Sequence, residues 1–162
     1  MRRAALALAV AAALAVAGCG GGSNAPTQSG YEKQFNAAID KAQKSAGTTQ
    51  PKSSKLADQA KALEARQTYV KQLADSLDPI NPPKAVTKAH TELVAGLRAY
   101  ASEEQPLIDL AKKGDKKAAF KLAQSGKVPS KATLAKLRDA LNIYKNQNYK
   151  LKGVTTQGSI GQ

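Results

Sequence analysis

His90 is the only histidine in this chain of 162 residues, and helical spacing places it on an apolar face. Val86 lies one turn before it, and Leu93 and Val94 lie one turn after it. An imidazole in that setting can hydrogen-bond to a neighbouring helix, or it can ligate a metal. Metal sites in helical bundles draw convergent ligands from facing helices, commonly as Glu-x-x-His pairs. Thr87 stands where that glutamate would be, and no second histidine completes a set. A structural role for His90 is therefore the main expectation; a small-ligand or metal-handling bundle centred on His90 is the alternative.

Other fragments of catalytic patterns are incomplete. Glu103-Glu104 is a carboxylate pair, but adjacent helical residues point about 100° apart, so a solvated face is expected. The stretch QGSIG near the C-terminus lacks the first glycine of a nucleophile elbow. Gly126-Lys127 has the glycine-lysine of a phosphate loop, but Lys121 replaces its first glycine and Val128 its serine or threonine. A single histidine gives no basis for assembling a catalytic triad. No enzyme activity, no metal and no cofactor is expected.

Cys19 is the only cysteine, so it has no partner for an internal disulfide. It follows a basic start, Met1-Arg2-Arg3, and a run from Ala4 to Ala17 with no polar residue. That run is too short and too rich in alanine for a membrane span, which needs about 20 strongly apolar residues. A basic start followed by such a core reads as an export signal. Val16-Ala17-Gly18-Cys19 resembles the lipobox of bacterial lipoproteins. The resemblance implies that a signal peptidase recognises Val16, Ala17 and Gly18, cuts before Cys19, and leaves Cys19 with a diacylglyceryl thioether. Gly20, not aspartate, follows the cysteine. The resemblance then implies the outer face of the plasma membrane, or the periplasm and outer membrane of a Gram-negative host.

The charge of the remaining chain is unevenly spread. From Cys19 to Asp109 there are 11 basic and 10 acidic residues, whereas from Leu110 to Gln162 there are 12 basic and 2 acidic. Lys112, Lys113, Lys116, Lys117, Lys121, Lys127, Lys131 and Lys136 carry most of this excess. The plain reading of such a run is a solvated face that aids solubility. The functional reading is contact with an anionic partner: lipid headgroups, a wall polymer or an acidic protein. Nucleic acid is not expected, because aromatic residues are not interleaved with the lysines. Tyr31, Tyr69, Tyr100, Tyr144 and Tyr149 fall at or beside apolar positions, and are expected at the rim of the core with hydroxyls in water.

The elements that must position these residues are helices. Tryptophan is absent and alanine, lysine and leucine abound, which favours helices with modest contacts over sheet. Ser29 and Glu32 have capping-box spacing before a first helix ended by Gly47. Ser53 or Ser54 is expected to cap a second, whose Leu56, Leu63, Val70 and Leu77 recur every seven residues. Asn81 should cap a third, with Pro82 and Pro83 in its first turn and a kink or break near Ser102 imposed by Pro106. Asp115 should cap a short fourth, and Ser130 a last long helix lined by Leu134, Leu137, Leu141 and Tyr144.

The expected fold is all-α, an antiparallel bundle of four main helices, each roughly 20 to 30 residues, plus one short helix. The expected boundaries are a signal peptide at 1–18, a lipidated cysteine and flexible tether at 19–29, the bundle at 30–152 and a disordered tail at 153–162. The stretch Leu77 to Tyr100, "LDPINPPKAVTKAHTELVAGLRAY", resembles small helical extracytoplasmic lipoproteins of actinobacteria. There a Pro-Pro turn opens a helix whose histidine lies about two turns in, as Pro82, Pro83 and His90 do here. The resemblance supports fold and location and implies no activity. The chain is thus expected to be a lipid-anchored, non-catalytic binding or structural module.

Overall fold

A computed structural model describes residues 26–46 and 50–153. The expected lipobox, Val16 to Cys19, the N-terminal signal and nearly all of the expected tail lie outside those residues, as does Gly47. The described chain is all-helical: α1 Gln28–Ala46, α2 Leu56–Leu77, a 3₁₀ turn Lys84–Val86, α3 Thr87–Glu103, α4 Gln105–Lys112, α5 Lys116–Gln124 and α6 Lys131–Asn146. Among the described residues there is no strand, only an isolated bridge between Lys127 and Ser130. Among the described residues no helix is long and apolar enough to cross a membrane.

Several helix starts differ from expectation, each for a local reason. Helix α1 begins inside the expected tether, because Thr27, not Ser29, supplies the cap: its Oγ1 accepts the Gly30 N–H at 3.1 Å. Neither Ser53 nor Ser54 caps α2. Ser53 instead donates to the carboxylate of Asp58, a first-turn acid well placed against the helix dipole. Helix α3 starts at Thr87, later than Asn81 would allow. Asn81 and Pro82 each precede a proline, which keeps both out of the helical region, and Pro83 is itself extended at ψ 148°. Asp115 and Ser130 do cap α5 and α6, accepting the N–H of Ala118 at 2.9 Å and of Thr133 at 3.2 Å.

These boundaries shorten the long helices. They run to 19, 22, 17 and 16 residues for α1, α2, α3 and α6, so α1 and α2 come to the lower end of the expected length and α3 and α6 fall short of it. The break before Pro106 falls at Glu104, two residues beyond Ser102, and divides α3 from α4.

Packing follows from the apolar faces. Helix α1 lies on α2, α2 on α3 and α4, α3 on α6, and α4 on α5. Gln67 near the middle of α2 meets Ala101 near the end of α3, while Asp78 just past α2 meets Arg98, so α2 and α3 run antiparallel. Glu103 at the end of α3 meets Ser130 at the start of α6, so this pair is antiparallel too. Gly96 lets them close: a Cβ there would come within 2.8 Å of Leu137 Cδ2.

A C-terminal strap completes the core. Asn148 adopts φ +58° and reverses the chain after α6. Its N–H bonds to the Lys145 carbonyl and the Tyr149 N–H to the Tyr144 carbonyl, both at 3.0 Å, which is a Schellman cap. The strap then runs along α1. Gln28 donates to the Asn148 carbonyl (3.2 Å), and Glu32 accepts the Lys150 N–H (2.9 Å). Asn36 bonds both the Lys150 carbonyl and the Lys152 N–H, and Asp40 pairs with Lys152 Nζ at 2.6 Å. The two periods match: four helical residues rise about 6 Å and two extended residues about 6.6 Å. The intervening residues, Tyr149 and Leu151, are buried in the core.

The left-handed position at Asn148 makes a direct prediction. Asn148→Ala should destabilise the fold by about 1 kcal/mol, whereas Asn148→Gly should stay within about 0.5 kcal/mol of wild type. Urea unfolding of the three proteins checks this; equal losses for alanine and glycine would show that the cap does not depend on backbone handedness.

Candidate functional site

Three of the five tyrosines are not at the rim. Tyr31 and Tyr144 are 0 % exposed, and Tyr149 is buried with them. Tyr31 comes from the first turn of α1, Tyr144 from the last turn of α6, and both rings pack around Phe35. The Tyr31 hydroxyl sits 2.8 Å from His90 Nδ1 and 2.6 Å from the Tyr144 hydroxyl. Sequence periodicity marked these residues as apolar-face positions but not that their polar tips converge.

His90 is 5 % exposed. Burial pushes its pKa below the usual 6.5, and the Leu77 carbonyl and Asp78 partly oppose that shift. The ring is therefore mainly neutral at pH 7, with one N–H. Although the Leu77 carbonyl favours the protonated ring, no acceptor meets Nε2 with the geometry of a full hydrogen bond, and Nε2 is closed to solvent. A proton on Nε2 facing that carbonyl leaves Nδ1 to accept from Tyr31, and Tyr31 to accept from Tyr144. Burial raises both tyrosine pKa values, that of Tyr144 to about 12, so both hydroxyls keep their protons.

Above this chain lies an open groove of about 690 Å³, walled by the Asp78–Pro82 connection and by Thr87, Thr91, Ala95 and Arg98 of α3. The edge of His90 reaches its floor. Arg98 closes one end, but its guanidinium is committed to Asp75 at 3.2 Å and Asp78 at 3.0 Å. Among the described residues, no group of three or more His, Cys, Asp or Glu side chains converges to hold a metal ion.

Glu103 and Glu104 are not a solvated pair. Their different directions send them to different partners. Glu104 is fully buried and pairs with Arg66 of α2. Glu103 accepts the Ser130 N–H at 2.6 Å, the Ser130 hydroxyl at 3.0 Å and the Thr133 hydroxyl at 2.7 Å. Burial pushes its carboxyl upward, but those hydrogen bonds outweigh it and hold the pKa below the usual value. Together the two acids fasten α2 and the start of α6 to the α3–α4 junction.

The lysines form a different kind of site. Lys112 ends α4 and pairs with Glu64, which raises its pKa. Lys113, Lys116, Lys117, Lys121, Lys127, Lys131 and Lys136 are all exposed. Among the described residues none of these seven forms an ion pair with an acid; the bridges recorded there involve other cations. Helix α5, which carries three of them, buries only Ala119 and packs on α4. Phe120, which sequence reading passed over, stands 63 % exposed on that helix. Its neighbours Lys116, Lys117 and Lys121 were the available signal.

Comparison with known proteins finds no family model, no curated protein and no solved structure that matches this chain.

The imidazole chain predicts a measurable pH effect. Tyr31→Phe should cost about 1–3 kcal/mol, because it leaves buried His90 Nδ1 and the Tyr144 hydroxyl without their partner. His90 is harder to protonate folded than unfolded, so its contribution is full above pH 6.5 and declines as the pH falls below that value. Urea unfolding at pH 7.5 and pH 5.5 should show wild type losing more stability than His90→Gln; an equal loss in both would remove His90 as the source.

Proposed function

We propose that this chain is a lipid-anchored extracytoplasmic binding module that works without catalysis and contacts an anionic envelope component through α4, α5 and α6. The observation that carries this reading is the set of seven exposed lysines that, among the described residues, pair with no acid, on a segment whose net charge is +10. Near an anionic surface each lysine contributes about 1 kcal/mol at low salt. Lipid headgroups, a wall polymer or an acidic protein would each supply the complementary charge. Cys19 is the proposed lipid attachment, supported by the lipobox resemblance of Val16 to Cys19. On this reading α1, α2, α3 and α6 serve as an antiparallel four-helix scaffold that presents the basic face.

A second reading takes the groove beside His90 as a small-ligand site. Its support is the groove's volume of about 690 Å³ and the presence of the His90 side chain among its lining residues. Because Nε2 is closed to solvent, a ligand would have to shift the Leu77 turn to reach it. For a metal-handling role, Asp78 is the acid near His90, and among the described residues the two belong to no group of three or more His, Cys, Asp or Glu side chains.

Co-sedimentation separates the readings. Residues 20–162 retain every described residue and omit the N-terminal apolar run. They should bind anionic vesicles or purified wall polymer, and not neutral vesicles, at 0.05 M salt and still detectably at about 0.15 M. Changing Lys116, Lys117 and Lys121 to Glu should abolish that binding, while His90→Ala should leave it unchanged. Weak binding to every surface that vanishes with salt would return the lysines to a solvated face.

A further inference from the structure

We infer that the anionic partner is a lipid bilayer and that Phe120 is the side chain that enters it. The inference rests on the basic-face reading above and narrows its partner to one chemistry. Two large hydrophobic side chains stand exposed among the described residues, Phe120 at 63 % and Leu134 at 40 %, and both lie in the lysine-rich segment. A single exposed phenyl is ordinary on a protein surface. The surroundings of Phe120 are what point to a partner.

Lys116 and Lys117 lie one helical turn before it and Lys121 directly after it, while Lys113 and Lys127 flank the helix in its two connections. All five are exposed. Asp115 is the one acid between Leu110 and Arg138, and its carboxylate is occupied in capping α5. The Phe120 ring stands mostly in solvent: its helix buries Ala119 and packs on α4, and among the described residues no ring–ring contact includes Phe120.

A phenyl ring flanked along the chain by exposed lysines suits a partner that is anionic at its surface and apolar just beneath. An anionic bilayer has that layering. A hydrated wall polymer offers the charge without an apolar phase, and an acidic protein would need a pocket placed within its own acidic patch. Lysine stems can lie along the headgroups with their charges at phosphate level while the ring sits deeper, the division of labour seen in interfacial amphipathic helices.

The chain contains no tryptophan, so Phe120→Trp places a single tryptophan, excitable at about 295 nm apart from the five tyrosines, at the point of contact. In residues 20–162 carrying this change, anionic phosphatidylglycerol vesicles should shift the emission to the blue, and lipids brominated on their acyl chains should quench it. Phosphatidylcholine vesicles and soluble polyphosphate should do neither. Phe120→Ala should weaken binding to anionic vesicles about 5- to 10-fold without changing the urea midpoint, because the ring is exposed in the free protein. Binding to anionic vesicles with no blue shift, no quenching and no loss in Phe120→Ala would overturn insertion while leaving electrostatic contact intact. Binding to polyphosphate or wall polymer alone would also overturn it, in favour of a non-lipid partner. No binding to any anionic surface would overturn both this inference and the reading beneath it.

Discussion

The Tyr31 hydroxyl is the point through which three distant parts of the chain are joined. It touches His90 of α3 and Tyr144 of α6 from the first turn of α1, in a place with no solvent. A buried hydroxyl without partners would cost stability, so the helices must arrive in a register that satisfies it. Apolar contacts between alanine-rich faces are tolerant of sliding. A hydrogen-bonded chain across them is not, because its geometry fails within a fraction of an ångström. The polar chain therefore supplies specificity that the surrounding leucines and alanines do not.

Two further polar devices fasten what that chain aligns. At the far end of α3, Glu103 and Glu104 point in different directions and hold α6 and α2 respectively. At the C-terminus, the strap converts a row of polar residues on α1 into a ladder for extended backbone, because the helical and extended repeats nearly coincide. The Lys150 N–H and Gln28 also hold the Glu32 carboxyl below its usual pKa, so the rung keeps its charge in mildly acidic conditions. In a fold with few aromatics and a small apolar core, such contacts set which face of each helix turns inward.

The functional reading follows from where polar groups are satisfied. His90 is tied to Tyr31 and shielded from solvent, and the carboxylates that could have worked as a pair are structural. The exposed lysines beside Phe120 stand apart from this economy of internal partners, with charge and apolar surface both left outward. That contrast separates scaffold from surface and places the proposed contact on α5, the helix least involved in the core.

Helical class was legible in composition and periodicity, and so were the Asp115 and Ser130 caps, because they depend on residues within one turn of each other. The charge asymmetry was equally plain, since counting needs no coordinates. Ser29, Ser53 and Asn81 misled because capping depends on the backbone of adjacent residues: Thr27 was an equally good cap, Asp58 engaged Ser53, and consecutive prolines kept Asn81 out of the helical region. Glu104 and Gln67 could not be read as buried, because a polar side chain enters a core only when a partner from elsewhere meets it there, and Tyr31 was legible as an apolar-face residue but not by its partners His90 and Tyr144. The sequence by itself determined the helices, their amphipathic faces and the basic C-terminal half. Only the tertiary structure decided which tyrosines, carboxylates and lysines found partners, because those partners lie up to 118 residues away along the chain.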